Sequence, residues 1–259
     1  MILEIDIGNS RIKWRLRDDE QILSQDTVDH HDDIDYNKVF AGLKHPPERA
    51  IVASVVPRMR SKLDAWFAEY WQLNPVFVEV SRCCAGVTNG YQDIRQMGVD
   101  RWLAMVAAYN TLQTACLVIN AGSAFTLDLV LLNGQHLGGY IVPSLRLMKD
   151  ALFRHTDRVK PETIRYDSNL NLGDSTQRAV SSGLQRMHLG LVEQALNQLS
   201  EKRSVKPEVV IAGGGAVDLS TLLENYLAQQ GKSGCIAGIN VRPDLVMDGL
   251  SFVGTEPSC

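Results

Sequence analysis

Two stretches of this chain share one layout, and that repetition constrains the architecture more than any other feature. The first, MILEIDIGNSRIKWRL, alternates so that Leu3, Ile5 and Ile7 fall on one face of a strand and Glu4 and Asp6 on the other, with Asp6 pointing away from the packed side. Gly8 and Asn9 signal a turn, because both residues tolerate positive φ. A returning strand sets Ile12, Trp14 and Leu16 on its apolar face and Arg11, Lys13 and Arg15 opposite. The second stretch, CLVINAGSAFTLDLVLLNGQHLGGYIVPS, repeats the plan: an apolar strand, a small-residue turn at Ala121-Gly122-Ser123, and a second strand carrying Thr126 and Asp128. Asn120 occupies the place of Asp6, and internal duplication of this kind exposes architecture.

Between the two hairpins the pattern predicts a strand in RAIVASVVP, a helix with a stripe of Met59, Leu63, Trp66, Phe67 and Tyr70, a strand in PVFVEV, and a helix starting near Arg101. After the second hairpin come a helix around Leu145–Leu152, a loop-like RVKPETIRYDSNLNLGD, and a longer helix presenting Leu184, Met187, Leu191, Ala195 and Leu199. PEVVIAGGGA then gives a strand and a glycine turn, and a final helix carries Leu222, Leu223 and Tyr226. A hairpin followed by β-α alternation, occurring twice, predicts two α/β lobes, residues 1–112 and 113–259, facing across a cleft.

At 259 residues, 45% hydrophobic and 22% charged, the chain has the composition of ordinary globular protein. Its formal net charge of −4 offers no basic field for nucleic acid or an anionic membrane, so any phosphate must be held locally. Five cysteines without a CxxC spacing point to a reducing cytoplasm and argue against zinc. The N-terminus enters a strand without the features of a signal peptide, and the apolar runs are too short to span a bilayer.

Neither GxxxxGK[ST] nor a strand-GxGxxG-helix unit is present, so a nucleotide would have to be cradled differently. Small residues in a hairpin turn let backbone N–H groups approach phosphate oxygens, and two such turns can grip one polyphosphate. Asp6 is then placed to hold Mg²⁺ through its waters, and Lys13 to add a cation to a phosphate. In isolation DIGNS reads equally as a plain hairpin with a solvated aspartate. In GYQDIRQMGVDRW, Asp100 precedes an amphipathic helix: it is an N-cap, or a general base for a hydroxyl with Arg101 beside it for a carboxylate. IAGGGAVDL offers bare backbone to a base or ribose, or is a flexible strand-helix turn. DHHDDID, Asp29–Asp35, has the composition of a metal cluster without a regular ligand spacing.

The ordered set DIGNS, GVDRW, AGSAFT, GGYIVPS, STQRAVSSG and IAGGGA resembles the type III pantothenate kinases, members of the actin-like, sugar-kinase-like superfamily. The likeness runs from Asp6 to Gly215. It implies two actin-like (ribonuclease H-like) lobes with mixed sheets, flanking helices and a nucleotide cleft between them. It also implies ATP- and Mg²⁺-dependent phosphorylation of pantothenate, the first step of coenzyme A biosynthesis, by a cytoplasmic homodimer with its substrate site at the interface. Asp6, Ile7, Gly8, Asn9, Ser10, Arg11, Ile12 and Lys13 resemble the first phosphate loop; Gly122 and Ser123 the second, with Ser123 keeping the hydroxyl of the family's threonine; Gly213 and Gly214 the adenosine motif. Tyr91, Gly98, Val99, Asp100 and Arg101 resemble the pantothenate site, with Asp100 as the base and Arg101 pairing with the carboxylate, and Thr176 resembles a substrate contact supplied by a second subunit. Asn120 stands where the family has an aspartate associated with potassium or ammonium, and keeps an oxygen ligand without the charge. Ile94 replaces a usual proline, Ser144 a usual glycine, and Gly215 an acidic residue, departures expected to alter nucleotide binding. The competing readings are a non-catalytic regulatory paralogue, of the kind described as transcriptional accessory factors, and a phosphatase or sugar kinase of the same superfamily.

Overall fold

The computed structural model describes the chain apart from residues 31–33, 44, 157–165, 167–169, 201–205 and 254–259. It forms two units, one made of Met1–Ala85, Tyr91–Ala107 and Val246–Cys259, the other of Gly86–Gly90 and Ala108–Leu245.

In the first unit, strands β1 (Ile2–Ile7), β2 (Arg11–Asp18), β3 (Gln21–Asp29), β4 (Arg49–Ser54) and β5 (Val76–Phe77) form one mixed sheet in the order β3-β2-β1-β4-β5. The β1-β2-β3 meander is antiparallel, whereas β4 runs parallel to β1 and β5 to β4. Ile5, Ile7, Ile12 and Trp14 pack beneath α1 (Tyr36–Val39) and α2 (Pro57–Trp71), joined by Tyr36, Phe40, Met59, Leu63 and Phe67. Pro57 opens α2 at a position where its missing N–H costs nothing. Trp66 of the predicted stripe lies at the edge of this cluster, its ring centroid 5.3 Å from that of Phe40, while Tyr70 is exposed. A two-residue strand β6 (Cys83–Cys84) follows.

The opposite face of this sheet, polar in the sequence pattern, is covered too. Glu4 is fully buried, bound by Arg15 and by Arg17, whose Nη2 donates to Oε1 at 3.0 Å. Arg15 continues to α7 (Leu245–Leu250), donating to Asp248 Oδ1 at 2.9 Å and to the Met247 carbonyl at 2.8 Å. Charges survive such burial only when paired and hydrogen-bonded. α7 comes so close to α3 (Val99–Leu112) that a Cβ on Gly249 would stand 2.4 Å from the Leu103 carbonyl oxygen. Glycine is required there by contact.

The second unit repeats the plan. Strands β8 (Cys116–Ala121), β9 (Ala124–Val130), β10 (His136–Pro143), β11 (Glu208–Ala212) and β12 (Gly238–Val241) take the order β10-β9-β8-β11-β12, again an antiparallel meander followed by parallel strands. The short strand β7 (Val87–Thr88) also belongs here, Thr88 bridging to Gln135. Leu117, Ile119, Phe125, Leu127 and Leu129 face Leu189, Val192, Ala195 and Leu196 of α5 (Thr176–Ser200) and Leu219, Leu222 and Leu223 of α6 (Ala216–Gln229). On the other face, buried Asp128 meets buried His136, with Nε2 3.0 Å from Oδ1. Gly90 N–H approaches the remaining ring nitrogen, which assigns the Nε2–H tautomer.

Several elements differ from the sequence expectation. β3 was not anticipated, because nearly all of its residues are exposed and no alternation marks it. α6 is not the last helix, since α7 follows. Met187 is 62% exposed; α5 instead buries Gln185, His188 and Leu189 beside Leu184. α4 (Leu145–His155) begins at Ser144, whose Oγ caps it by accepting from Leu147 N–H at 3.3 Å. A hydroxyl replaces the expected glycine at that corner for a structural reason.

Candidate functional site

In the first unit Asp6 and Lys13 stand at the C-terminal end of β1, within reach of the charge of Asp100. Asp6 lies opposite Lys13 in the β1-β2 register and beside Ala53 of β4, so its side chain projects from the same face as that of Lys13. Asp6 is half-buried, and loss of water around its carboxyl, reinforced by the like charge of Asp100 and opposed by Lys13, pushes its pKa up to about 7. Two acids distant in sequence are thus close enough for one carboxylate to act on the other.

Asp100 is not the N-cap of α3. The helix starts at Val99, with the Gly98 carbonyl accepting from Trp102 N–H at 3.0 Å, so Asp100 sits in the first turn. There its negative charge faces the positive helix end, and Oδ1 accepts from Arg101 N–H at 2.9 Å. A Cβ on Gly98 would lie 2.6 Å from that same oxygen, so any other residue there would make the Asp100 carboxyl turn away from this position. Arg101 is buried and donates through Nη1 to the Tyr91 hydroxyl at 2.8 Å, its guanidinium carbon 5.6 Å from the Tyr91 ring centroid. Ile94 lies in a short 3₁₀ turn capped by Asp93, a role that needs no proline.

The turn itself departs from expectation. Neither Gly8 nor Asn9 adopts positive φ. The chain closes over Gly8, Asn9 and Ser10 with Gly8 N–H donating to the Arg11 carbonyl at 3.0 Å. Arg11 Nε pairs with Asp29 Oδ1 at 2.8 Å. His30, beyond β3, donates its backbone N–H to the Ser10 carbonyl at 3.0 Å and places Nε2 2.7 Å from the Gly8 carbonyl oxygen. His30 belongs to the stretch that has the composition of a metal cluster without a regular ligand spacing; His31, Asp32 and Asp33 of that stretch lie outside the described residues, as does most of RVKPETIRYDSNLNLGD. No group of three or more metal-ligating side chains occurs among the described residues.

In the second unit Asn120 holds the penultimate place of β8, as Asp6 does in β1, and lies opposite Thr126 and beside Ala212. Its Oδ1 is buried with no hydrogen-bond partner among the described residues. A Cβ on Gly122 would stand 3.0 Å from that oxygen, and one on Gly213 would stand 2.4 Å from it and 2.7 Å from the Ala121 backbone. Gly213 has φ +89°, so both contact and conformation demand glycine. Ser123 is half-buried in the turn and Gly214 exposed. Gly215 precedes α6 and donates to the Ala121 carbonyl at 3.0 Å; a Cβ there would meet the Tyr166 ring at 3.3 Å, so the acid expected at this position would displace Tyr166. Tyr166 donates to His188 Nδ1 at 2.7 Å while His188 Nε2 donates to the Pro143 carbonyl at 2.9 Å, and burial holds the His188 pKa below its usual value. Thr176 is exposed at the start of α5, behind Ser175, whose Oγ accepts from Arg178 N–H at 3.3 Å.

With this geometry in hand, residues 2–198 match the family model described as type III pantothenate kinase. A type III pantothenate kinase from Pseudomonas aeruginosa (strain LESB58) is 35% identical over 258 residues, covering 97% of this chain and 98% of its own. Solved structures under 25% identical establish the fold. A protein assigned to the Baf family of transcriptional activators from Campylobacter jejuni superposes with TM-score 0.58 at 19% identity over 96% of this chain and 95% of that one. A ROK family glucokinase from Streptomyces griseus, crystallised with glucose and AMPPNP, gives TM-score 0.54 at 13% identity over 96% and 97%. Two mixed sheets with flanking helices are the architecture of these sugar-kinase-like proteins.

Proposed function

Because the chain belongs to the type III pantothenate kinase family, we propose that it transfers the γ-phosphoryl group of ATP to the primary hydroxyl of pantothenate, opening coenzyme A biosynthesis. The observation that carries the assignment of roles is the placement of Asp100 in the first turn of α3, beside the buried Arg101 that Tyr91 holds, with its charge reaching Asp6 at the end of β1. Asp100 accepts the proton of the substrate hydroxyl and aligns it, a task that depends on position more than on a high pKa. Arg101, held by Tyr91, pairs with the pantothenate carboxylate, with Gly98 and Val99 shaping the same surface. The turn at Gly8, Asn9 and Ser10, together with Arg11 and Lys13, and the turn at Gly122 and Ser123 hold phosphates, while Gly213 and Gly214 lie against the adenosine.

The residues fit the cations that the reaction needs. Two like-charged carboxylates with one pushed up to about 7 make a place that a divalent cation relieves, so Asp6 would hold hydrated Mg²⁺, which neutralises phosphate charge when bound. Asn120 Oδ1, an unpartnered buried acceptor, suits one ligand of K⁺ or NH₄⁺ without supplying charge. Homodimerisation belongs to the same reading. Of the α4 side chains only that of Leu145 is buried, and Leu147 and Phe153 stand exposed together with Ile141 of β10 and Met187 of α5. A second subunit covering these would bring Thr176 to its partner's substrate. Among the described residues no helix is long and apolar enough to cross a membrane.

A coupled assay with purified protein, ATP, Mg²⁺ and pantothenate, with and without K⁺ or NH₄⁺, should give turnover that glucose cannot support. Absence of pantothenate-dependent turnover in every salt returns the chain to the regulatory reading. Light scattering should find twice the mass of one chain; a monomer at assay concentration removes the role of Thr176 across an interface.

A further inference from the structure

The turn between β1 and β2 is braced from outside, and one residue supplies two of the three contacts. His30 is 6% exposed and belongs neither to β1 nor to β2. Its backbone N–H donates to the Ser10 carbonyl at 3.0 Å and its Nε2 lies 2.7 Å from the Gly8 carbonyl oxygen. A carbonyl only accepts, so Nε2 carries the proton. Beside it, Asp29 holds Arg11 at 2.8 Å. The end of β3 therefore grips the turn at three points.

The Gly8 contact has a directional consequence. The described peptide bonds are trans, and in a trans peptide the C=O of one residue and the N–H of the next point opposite ways. Drawing the Gly8 oxygen toward His30 aims the Asn9 N–H away from it. Glycine at position 8 would otherwise let this peptide rotate at little cost, because its backbone is the least restricted. We infer that His30 is a positioning residue for nucleotide binding: its ring fixes the Gly8–Asn9 peptide so that Asn9 N–H is presented to a phosphate oxygen of ATP. The inference rests on the reading of this turn as a phosphate loop. It adds a residue that the motif does not contain, and a side chain rather than a backbone group makes the contact, whereas the outside contact described for the second turn is backbone, Gly215 N–H to the Ala121 carbonyl at 3.0 Å.

The test compares His30→Met, which keeps bulk and removes the N–H donor, with His30→Gln, whose amide nitrogen lies as many bonds from Cα as Nε2 does. Both retain the backbone bond to Ser10. The dissociation constant for Mg·ATP is measured by calorimetry, alongside KM for ATP and for pantothenate and a melting temperature. His30→Met should weaken ATP about ten-fold in both Kd and KM, as expected for one lost hydrogen bond to a half-buried carbonyl, and leave the pantothenate KM within about two-fold. His30→Gln should restore most of the ATP affinity. If His30→Met does not fold, His30→Asn, whose shorter amide cannot reach Gly8, replaces it. Wild-type ATP affinity in the donor-less variant, equal weakening in both variants, or a matching rise in the two KM values overturns the inference. If the wild-type protein binds ATP but leaves pantothenate unphosphorylated, the proposed function fails, and His30 is still judged by ATP affinity. If wild type binds no ATP, both fall.

Discussion

Strand for strand the two sheets are built alike, yet the mouths of their hairpins are chemically unlike. The order β3-β2-β1-β4-β5 recurs as β10-β9-β8-β11-β12, and the penultimate residue of the first strand is Asp6 in one and Asn120 in the other. Across the ladder stand Lys13 and Thr126. The first mouth carries charge, gathers Asp100 from α3, and avoids positive φ. The second is neutral and relies on close backbone: Gly122 and Gly213 crowd the Asn120 oxygen, and Gly213 takes φ +89°. A duplicated scaffold thus delivers one position twice, and the side chain there decides whether the position does electrostatic work or makes room for a ligand against bare backbone.

The sharpest way to break this division is at the acid that the first mouth gathers. Asp100→Asn should lower kcat by about 10²–10⁴-fold, the usual contribution of a positioned general base. Stability should hardly change, because an amide oxygen can still accept from Arg101 N–H. Steady-state kinetics and a thermal melt check both halves of the expectation. Near-wild-type turnover would reduce Asp100 to a favourable charge at a helix end. Next in size, Asp6→Asn gives the first mouth the side chain of the second. It should cost about 10²-fold in kcat/KM at fixed Mg²⁺, with part of the loss recovered by raising Mg²⁺, if electrostatic stabilisation of the transferred phosphoryl group passes through this site. An unchanged Mg²⁺ dependence would mean that the two mouths differ in charge without differing in role.

The comparison also explains what could be read in advance. The apolar positions Leu3, Ile5 and Ile7, and again Leu117, Ile119, Phe125 and Leu127, mark the core-facing side of each hairpin, so the repeated hairpins were legible. The third strand of the first meander was not, because the solvent-exposed β3 has no hydrophobic period. Glu4 and Arg15 look like a solvated face in one dimension; their burial depends on α7, which arrives from the far end of the chain. Asp100, Arg101 and Tyr91 were found as a motif, but the placement of Asp100 inside the first turn, where its charge reaches Asp6, depends on the folded chain. His30 left no usable signal, because two adjacent histidines in a polar run have no periodicity that singles out one of them, and its partner is a backbone carbonyl that any residue would offer. Gly213 could not be told from Gly214 and Gly215 by composition, though only Gly213 of the three adopts positive φ.

That last distinction yields the smaller predictions, both about stability. Gly213→Ala places a Cβ in a left-handed conformation and 2.4 Å from Asn120 Oδ1 and 2.7 Å from the Ala121 backbone. Backbone strain alone costs roughly 1–3 kcal/mol, and the contact with Ala121 cannot be relieved by turning a side chain, so denaturant unfolding should show a loss at or above the top of that range. Gly8→Ala tests the other mouth. A Cβ there meets the Arg11 carbonyl oxygen at 3.5 Å, an ordinary contact, and φ is not positive. The native conformation therefore accepts alanine, and a more restricted unfolded chain offsets any small crowding, leaving stability within about 1 kcal/mol of wild type. Glycine would then be kept at position 8 by what has to approach the turn, so the same variant should bind ATP more weakly while melting normally. A Gly8→Ala protein as destabilised as Gly213→Ala would show instead that both turns are held by backbone strain, and the contrast between a charged mouth and a crowded one would lose its conformational half.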